Sequence, residues 1–489
     1  MLWLGGLAAL ALVVRLVVVS IIGPRGVVLN DSVFYLMSAD NLASGLGYTV
    51  RDPTGAVIPT AQWPPGYSFV LSLLFRVVGF DEYAAQVLNA VLGAATVVVL
   101  YLLVRRLFGR RAAAVAAGIL AVMPGPVLWA DVVVAETLYT FALVTALYVF
   151  TVLPRRWWAP LVMGVVIGLA TLIRGEGLLL VPAAAVLLWT RRDRTRTLVA
   201  SAPRWALSVG LVVVVFGLTL LPWGLRNSRA MGEFIPLSTN SSITLWSGHN
   251  PRASGAQTYA GPELLGRIAQ TGSQRELQEG DLLRSEAIRW AKENPGAELR
   301  LVPLKLINLM RGDGYVLDWV NSGPKEDKPV PEKLDNPLRT VSDAFFFGVL
   351  AMALLAVLLG GRRLWRAPTM RAILTLLLCS LVLYGVVYYG NYRYRTPLTP
   401  VLLLLAAPLL AQAWSLRHRL VRGPVPDGNA IDDTAPHGTA DGAAAPAPHA
   451  EAGEAGEAGD HPATRAGQDA RQGPDPKPDT VGGRLPTSA

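Results

Sequence analysis

The stretch Asn30-Asp31-Ser32-Val33-Phe34-Tyr35 follows an apolar segment, Leu2 to Ile22, that is long enough to cross a bilayer as a helix. It opens a polar loop that closes on Trp63-Pro64-Pro65-Gly66-Tyr67, where the chain becomes apolar again. An acid at the mouth of a membrane helix, with a tyrosine four residues later, lies where an enzyme working at a membrane surface would hold a base. We therefore treat the rest of the chain as a scaffold that presents this loop.

Composition indicates that the solvent of this chain is the bilayer. Apolar residues make up 52% of the 489 residues, and they cluster in runs longer than a soluble core element needs, so we predict an integral membrane protein. The net charge of +9 comes mainly from arginine and suits anionic lipid contact, and without an RNA or DNA motif we expect no nucleic-acid partner. The single cysteine, Cys379, excludes a disulfide within the chain.

About ten apolar segments are candidates for membrane spans. The first carries one charge, Arg15, which we expect to snorkel to the interface rather than to face a partner in the bundle. No basic segment precedes it and no Ala-x-Ala type of cleavage site follows, so we expect a retained anchor. The predicted spans are residues 2–22, 83–103, 112–127, 132–152, 157–173, 177–188, 207–222, 345–360, 372–389 and 397–414.

The arginine clusters predict the orientation of these spans. With ten spans, the clusters at residues 105–111, 155–156, 191–196, 362–366 and 417–422 all lie on one side, which is the cytoplasmic side for short basic loops. We therefore expect both termini in the cytoplasm and the loops of about 24–82 and 223–342 outside. Within the first loop, Gly66 to Gly79 is too short for a span and is predicted to be an interfacial or re-entrant helix.

Two further regions complete the predicted domain organisation. The outer loop 223–342 is too long to lack structure, and it contains a polar helix at Gln274 to Glu293 and an amphipathic helix at Leu299 to Met310, which either rests on the membrane or covers a cavity. Residues 421–489 are rich in Ala, Pro and Gly and are predicted to be a disordered cytoplasmic tail. Residues 1–420 then form one all-helical polytopic transmembrane domain.

Several classes of site have no signal in the sequence. There is no P-loop, no Gly-rich dinucleotide turn, no HExxH and no cluster of cysteines, so we expect neither a nucleotide cofactor nor a zinc-protease site. Four of the five histidines lie at the predicted cytoplasmic end or in the tail, which leaves His249 as the outer imidazole. No cofactor is assigned. The requirement for a divalent metal stays open, and such a metal would need carboxylate ligands.

Acids and arginines recur at the outer ends of the predicted spans. Charges so close to hydrocarbon are costly unless they are paired or functional, so this pattern predicts a polar pocket that fits an anionic lipid head group. There a carboxylate can deprotonate an acceptor hydroxyl, while guanidiniums hold a phosphate and stabilise its developing charge. Because no nucleotide is available outside the cell, the natural donor is an activated lipid-linked sugar. The charged residues are Asp31, Asp131, Glu136, Arg174, Glu176, Arg393 and Arg395.

Six short motifs, in their order and placement, resemble those of the GT-C glycosyltransferases. The branch most resembled is the bacterial one that includes protein O-mannosyltransferases and lipid A aminoarabinose transferases. The resemblance covers about residues 1–420, and no single motif is specific. The motifs are Asp31-x-x-x-Tyr35, Leu42 to Tyr48, Pro64 to Tyr67, Leu172 to Gly177, Pro222 to Asn227 and Arg393 to Pro397.

The resemblance implies an inverting enzyme with a large outer loop before its last three spans. It would transfer a sugar from a polyprenyl phosphate to a protein, glycan or lipid acceptor at the outer face of the cytoplasmic membrane, with Asp31 as general base. Many relatives have an Asp-Glu pair where this chain has Asp31-Ser32, so a second acid would come from elsewhere. Asp131 and Glu136 are the candidates.

Further residues are implied as substrate or phosphate contacts. Arg226, Arg393 and Arg395 match positions of the family to which we assign this contact, and Tyr35, Arg174 and Glu176 stand in the matching motifs. Each candidate also has a simpler interpretation. An acid can cap the helix that follows it, Arg174 can pair locally with Glu176, and interfacial arginines can contact lipid head groups. For Asp131, a solvated carboxylate at a loop end is the favoured interpretation.

Two other classes of protein compete with the transferase. In a lipid or glycan transporter, the same charges would line a pathway, but such proteins commonly show repeated halves and charged or broken segments near the midplane. This sequence has no clear repeat, and its acids lie at span ends. The other competitor is a scaffold whose outer loops bind a partner without catalysis.

Overall fold

A computed structural model describes residues 2–24, 30–52, 54–192, 195, 197–322 and 329–422. These residues belong to one compact unit that is almost entirely helical. The predicted disordered tail lies outside the described residues, apart from positions 421 and 422.

The described part of the chain contains the following elements in order. The helices are α1 (Leu2–Ile22), α2 (Asn30–Ala43), α3 (Gly66–Val78), α4 (Glu82–Phe108), α5 (Arg110–Val122), α6 (Pro124–Leu128), α7 (Glu136–Val152), α8 (Ala159–Ile173), α9 (Leu180–Thr190), α10 (Leu198–Met231), α11 (Asn240–Gly248), α12 (Pro262–Leu265), α13 (Gly272–Glu293), α14 (Pro295–Leu309), α15 (Val316–Val320), α16 (Glu332–Arg366), α17 (Pro368–Val382), α18 (Tyr392–Arg395) and α19 (Thr399–Arg422). Short 3₁₀ turns lie at Gly175–Leu179, Asp313–Tyr315 and Thr396–Leu398, and a π-helical turn lies at Leu383–Val387. The strands are β1 (Thr49–Arg51) and β2 (Val57–Pro59).

This architecture confirms the predicted all-helical polytopic membrane fold. Among the described residues, six helices are long and apolar enough to cross a membrane, at Trp3–Ile22, Glu82–Phe108, Leu198–Met231, Glu332–Gly360, Pro368–Val387 and Tyr392–Ala413. Shorter apolar helices lie at Gly66–Val78, Glu136–Val152, Ala159–Ile173 and Gly175–Thr190. The total of ten spans remains a prediction.

Several predicted boundaries are wrong, and local chemistry explains them. The predicted span 112–127 is broken at Met123, whose backbone is extended at φ −62° and ψ 121°. Pro124 follows it, and a proline disfavours helical geometry in the residue before it. The helices α10 and α16 instead continue well beyond their apolar segments, to 34 and 35 residues. Once a helix has formed, each further residue adds a hydrogen bond, so polar residues can extend it.

The prediction that Arg15 snorkels is wrong. The side chain is only 1% exposed, and its guanidinium donates to the carbonyls of Ala121 (3.1 Å) and Leu120 (3.1 Å). These carbonyls belong to the last turn of α5, where no intrahelical donor reaches them. A Cβ on Gly93 of α4 would lie 2.5 Å from Arg15 Nε, so this glycine makes room for the side chain. Arg15 therefore caps a helix inside the bundle.

The first loop contains two helices and a β-hairpin. In the hairpin, β1 pairs with β2 in an antiparallel register that opposes Thr49 to Pro59. The predicted helix at residues 66–79 is confirmed as α3, and it packs on α2. Because α2 begins at Asn30, Asp31 lies in its first turn.

The long segment 223–342 contains α11 to α15, which include both predicted helices as α13 and α14. Glu276 of α13 connects this segment to the first loop. Its carboxylate accepts hydrogen bonds from the Thr60 hydroxyl (2.7 Å), the Ala61 N–H (3.0 Å) and the Thr239 hydroxyl (2.6 Å). A single carboxylate thus joins three separate stretches of chain.

Candidate active site

Five charged side chains from four separate stretches meet in one chain of ion pairs. Asp31 Oδ2 contacts Arg393 Nη1, and Arg393 Nε contacts Glu136 Oε1. The same Glu136 Oε1 lies 2.5 Å from Arg174 Nη1, and Arg174 Nη2 lies 2.9 Å from Glu176 Oε1. The order is therefore Asp31, Arg393, Glu136, Arg174 and Glu176, with three carboxylates, two guanidiniums and one negative charge in excess. We call these five residues the ion chain.

Exposure differs along the ion chain. The terminal carboxylates are partly open, with side chains 17% exposed for Asp31 and 18% for Glu176, whereas Glu136 at the centre is 0% exposed. Removing charges from water is costly unless each charge is paired. Glu136 therefore holds both guanidiniums from within the protein, and the two terminal carboxylates are its most open members.

Local backbone geometry places both arginines. Arg174 follows α8 in an extended conformation, and a 3₁₀ turn begins at the next residue. A Cβ on Gly177 would lie 2.5 Å from Thr171 N, so a glycine is needed for this turn to fold back on α8. At the other arginine, the Asn391 side chain caps α18 by accepting from the Arg393 N–H at 3.0 Å.

A set of tyrosines surrounds the Glu176 end of the ion chain. The Tyr384 hydroxyl donates to Glu176 Oε1 at 2.7 Å, and its ring stacks on Tyr394 with centroids 4.7 Å apart. The Tyr394 hydroxyl in turn donates to the Tyr389 hydroxyl at 2.7 Å. The sequence interpretation missed Tyr384, although tyrosines are frequent from residue 384 to residue 394. The π-helical turn at 383–387, a feature often found at functional sites, contains this residue.

Aromatic residues also flank the Asp31 end. The Arg393 guanidinium lies 4.5 Å from the ring centroid of Trp319, whose Nε1 donates to the Tyr392 hydroxyl at 2.7 Å. Trp319 is a second residue that the sequence interpretation missed. Tyr35, a predicted substrate contact, is only 1% exposed and packs edge-on against Tyr67 at 5.2 Å.

Besides Tyr35, three predicted site residues, all charged, have their described contacts outside the ion chain. Asp131 is only 7% exposed and accepts from Gln86 Nε2 at 3.1 Å, so the interpretation as a solvated carboxylate is wrong. Arg226 donates to the Thr60 carbonyl at 2.7 Å and lies beside the first loop. Arg395 pairs with Asp313 at 2.6 Å.

The simpler interpretations of the other residues can now be compared with the contacts. Arg393 and Arg395 are 7% and 2% exposed, which excludes the interpretation that they contact lipid head groups. Arg174 and Glu176 do form the local pair, and Arg174 also reaches Glu136. The carboxylate of Asp31 contacts Arg393. Burial raises the pKa of Asp313, against the opposing effect of Arg395.

A second polar cluster surrounds His249. His249 Nδ1 lies 2.7 Å from Glu298 Oε1, and its Nε2 lies 2.8 Å from the Val387 carbonyl. Lys305 is 0% exposed and lies 3.4 Å from the Val386 carbonyl and 3.8 Å from Glu298 Oε2. Burial lowers the pKa of Lys305, although Glu298 opposes this effect. This cluster fixes the end of the π-helical turn, a few residues before Arg393.

Among the described residues, no group of three or more His, Cys, Asp and Glu side chains is arranged to hold a metal ion.

Comparisons with known proteins identify the fold. Residues 62–223 match the model of the dolichyl-phosphate-mannose-protein mannosyltransferase family. The oligosaccharyltransferase of Archaeoglobus fulgidus, tethered with an acceptor peptide containing the NVT sequon, superposes with a TM-score of 0.50 at 16% identity, over 86% of this chain and 50% of that chain. The chain shares the fold of the GT-C glycosyltransferases.

Two further solved structures are similar. The A. fulgidus oligosaccharyltransferase AglB, in complex with an inhibitory peptide and a dolichol-phosphate, has a TM-score of 0.48 at 17% identity, over 86% of this chain and 51% of that chain. ArnT from Cupriavidus metallidurans, bound to undecaprenyl phosphate, has a TM-score of 0.40 at 16% identity, over 84% and 78%. The chain thus spans about half the length of the archaeal enzyme. No curated protein matches the sequence.

Proposed function

We propose that this protein transfers a sugar from a polyprenyl-phosphate donor to an acceptor at the outer face of the cytoplasmic membrane. The observation that carries the proposal is the ion chain, in which a partly exposed carboxylate is held against a buried guanidinium at the mouth of the first span. The family match, and the lipid phosphates named for two of the similar structures, support a lipid-linked donor.

Asp31 is the base in this mechanism. One of its carboxylate oxygens contacts Arg393, and the carboxylate can take the proton of the acceptor hydroxyl. The acceptor oxygen then forms a bond to the anomeric carbon, while the bond from that carbon to the phosphate oxygen breaks. The polyprenyl phosphate leaves with the electron pair, and a single displacement inverts the configuration at the anomeric carbon.

The arginines of the ion chain stabilise the leaving phosphate. Arg174 and Arg393 share one oxygen of Glu136, which sets the two guanidiniums side by side for the charge that develops. Since Glu136 is completely buried, we assign it the positioning of both arginines rather than contact with the substrate. At the other end, Glu176 holds Arg174 and is itself held by Tyr384.

The remaining predicted residues receive supporting roles. Arg226 is partly exposed beside the first loop, so we propose that it contacts the donor phosphate or the acceptor. Tyr35, Asp131 and Arg395 are buried, and we propose that they position the elements that carry the ion chain.

The test is a transfer assay on the purified full chain in lipid nanodiscs. Radiolabelled sugars on synthetic polyprenyl phosphates are offered to the wild type and to Asp31→Asn, and transfer to membrane acceptors is counted. We expect donor-dependent transfer by the wild type and a loss of about 100-fold or more in Asp31→Asn, the usual weight of a general base. The matched control is Asp40→Asn, which lies on the same helix α2.

Two results would contradict the proposal. Normal turnover of Asp31→Asn at saturating donor would remove Asp31 as the base. If neither protein consumed any donor of a broad panel while both stayed folded, the transporter interpretation would replace the transferase, and a lipid translocation assay would be the next measurement.

A further inference from the structure

Two buried side chains of opposite charge line one pocket inside the helix bundle. Arg15 of α1 and Glu136 of α7 both face this pocket, together with residues of α4, α5 and α19. Among the described residues, Arg15 Nε and Glu136 Oε2 have no hydrogen-bond partner, although the two residues are only 1% and 0% exposed. An unsatisfied polar atom at such depth is costly, and here the two residues that carry such atoms line the same pocket.

The charges on the two sides of the pocket are also complementary. The described hydrogen bonds of Arg15 all go to backbone carbonyls, of Ala11, Leu120 and Ala121. The ion chain, to which Glu136 belongs, has one negative charge in excess. A link between Arg15 and Glu136 would bring the six groups to neutrality.

Hydrogen-bonding capacity defines what fits between them. The threonine hydroxyls of the pocket donate to helix carbonyls, as Thr96 does to Leu92 (2.8 Å) and Thr140 to Glu136 (2.7 Å), so they present acceptor oxygens. Arg15 Nε is a donor, and Glu136 Oε2 is an acceptor. A phosphate would meet the carboxylate of Glu136, and a cation would meet the guanidinium of Arg15. Water fits, because it can accept from Arg15 Nε and donate to Glu136 Oε2 and to a threonine hydroxyl.

We propose that ordered water in this pocket bridges Arg15 Nε to Glu136 Oε2. Arg15 is then a positioning residue for Glu136 and, through Glu136, for Arg174 and Arg393. The inference concerns the resting protein and does not depend on the proposed function.

The first test is a double-mutant cycle read as unfolding temperature, on the full chain in nanodiscs without any substrate. Arg15→Lys retains a cation but removes Nε, and Glu136→Gln retains the shape but removes the charge. If water links the pair, the drops of the two single variants sum to more than the drop of the double variant, by about 2 °C or more. Additive drops would overturn the link.

A second, milder variant keeps the test decisive if the first variants do not fold. Thr140→Val and Thr151→Val each lose a hydroxyl of α7 that donates four residues back at 2.7 Å, but only Thr140 lines the pocket. Thr140→Val is expected to lower the unfolding temperature more, since it also removes a water acceptor. Equal shifts would overturn the water site.

The positioning role has its own readout in the transfer assay. Arg15→Lys is expected to lower kcat about tenfold while the KM for the donor stays within about twofold, because it displaces Glu136 without touching the donor. An unchanged kcat per folded molecule would overturn the positioning role and leave Arg15 only its structural role as a cap of α5. Because the unfolding experiments use no substrate, they test the water site even if the proposed function fails.

Discussion

Replacing Glu136 by glutamine tests whether this carboxylate holds the site together. Its Oε1 receives both Arg174 and Arg393 while the side chain is 0% exposed. Removing one partner of a buried ion pair costs about 3–5 kcal/mol. Here each guanidinium retains a second carboxylate, Glu176 for Arg174 and Asp31 for Arg393. We therefore expect a loss of stability at the lower limit of this range, about 3 kcal/mol.

The effect on catalysis is expected to be larger than a loss of stability alone would produce. With the charge of Glu136 gone, Arg174 and Arg393 lose their common anchor, and a misplacement of about 1 Å in a positioning group can cost about 100-fold in rate. The assays are the unfolding temperature and the transfer rate at saturating donor, both in nanodiscs, with the rate counted per folded molecule.

The matched control is Glu82→Gln. Glu82 is also the first-turn acid of a long helix, α4, so both variants lose the same favourable interaction with a helix N-terminus, about 0.3–1 kcal/mol. Any further loss in Glu136→Gln belongs to the ion chain. If Glu136→Gln were no less stable and no slower than Glu82→Gln, the reasoning about the buried anchor would be refuted.

Three further predictions concern Tyr384, Lys305 and the orientation of the chain in the membrane. Tyr384→Phe removes a hydrogen bond to the Glu176 carboxylate, about 1.5–3 kcal/mol for a charged partner, and should slow transfer about tenfold or more, whereas Tyr148→Phe on α7 should not. Burial lowers the pKa of Lys305, so protonation of this side chain disfavours the folded state. The stability of the wild type relative to Lys305→Met should therefore rise with pH up to about 10.5. A pH-independent difference in unfolding temperature between the two would contradict this. For the topology, single cysteines are introduced at Ser44 and Arg155 of a Cys379→Ser chain. An impermeant reagent should label the cysteine at position 44 from outside and the one at position 155 from inside. The reverse pattern would show that the chain has the opposite orientation in the membrane.

The sequence predicts the elements whose pattern is local. The apolar run of α1, the helix α3 and the polar helix α13 all follow from composition and periodicity. The five residues of the ion chain are also candidates from the sequence, because the predicted topology puts the charges at the ends of successive spans on one side. Arg174 and Arg393 are far apart in the chain, yet the predicted topology groups them, and in the structure both contact Glu136.

The sequence does not predict which group each charged side chain contacts, because these contacts depend on how the helices pack. The sequence favours a snorkelling Arg15, since it does not show that α5 ends early and leaves its carbonyls beside α1. It favours a solvated Asp131, but this acid is buried and accepts a hydrogen bond from Gln86 of α4. It groups Arg395 with Arg393, but Arg395 lies two residues further along the chain and pairs with Asp313 instead.

The central claim is that Asp31 takes the proton of the acceptor, and its most direct test is a single-turnover rate at saturating donor. Wild type, Asp31→Asn and Asp40→Asn are compared in the same nanodiscs, with equal unfolding temperatures as the condition for comparison. The account predicts a rate about 100-fold or more below wild type for Asp31→Asn and an unchanged rate for Asp40→Asn. A wild-type rate for Asp31→Asn would contradict it.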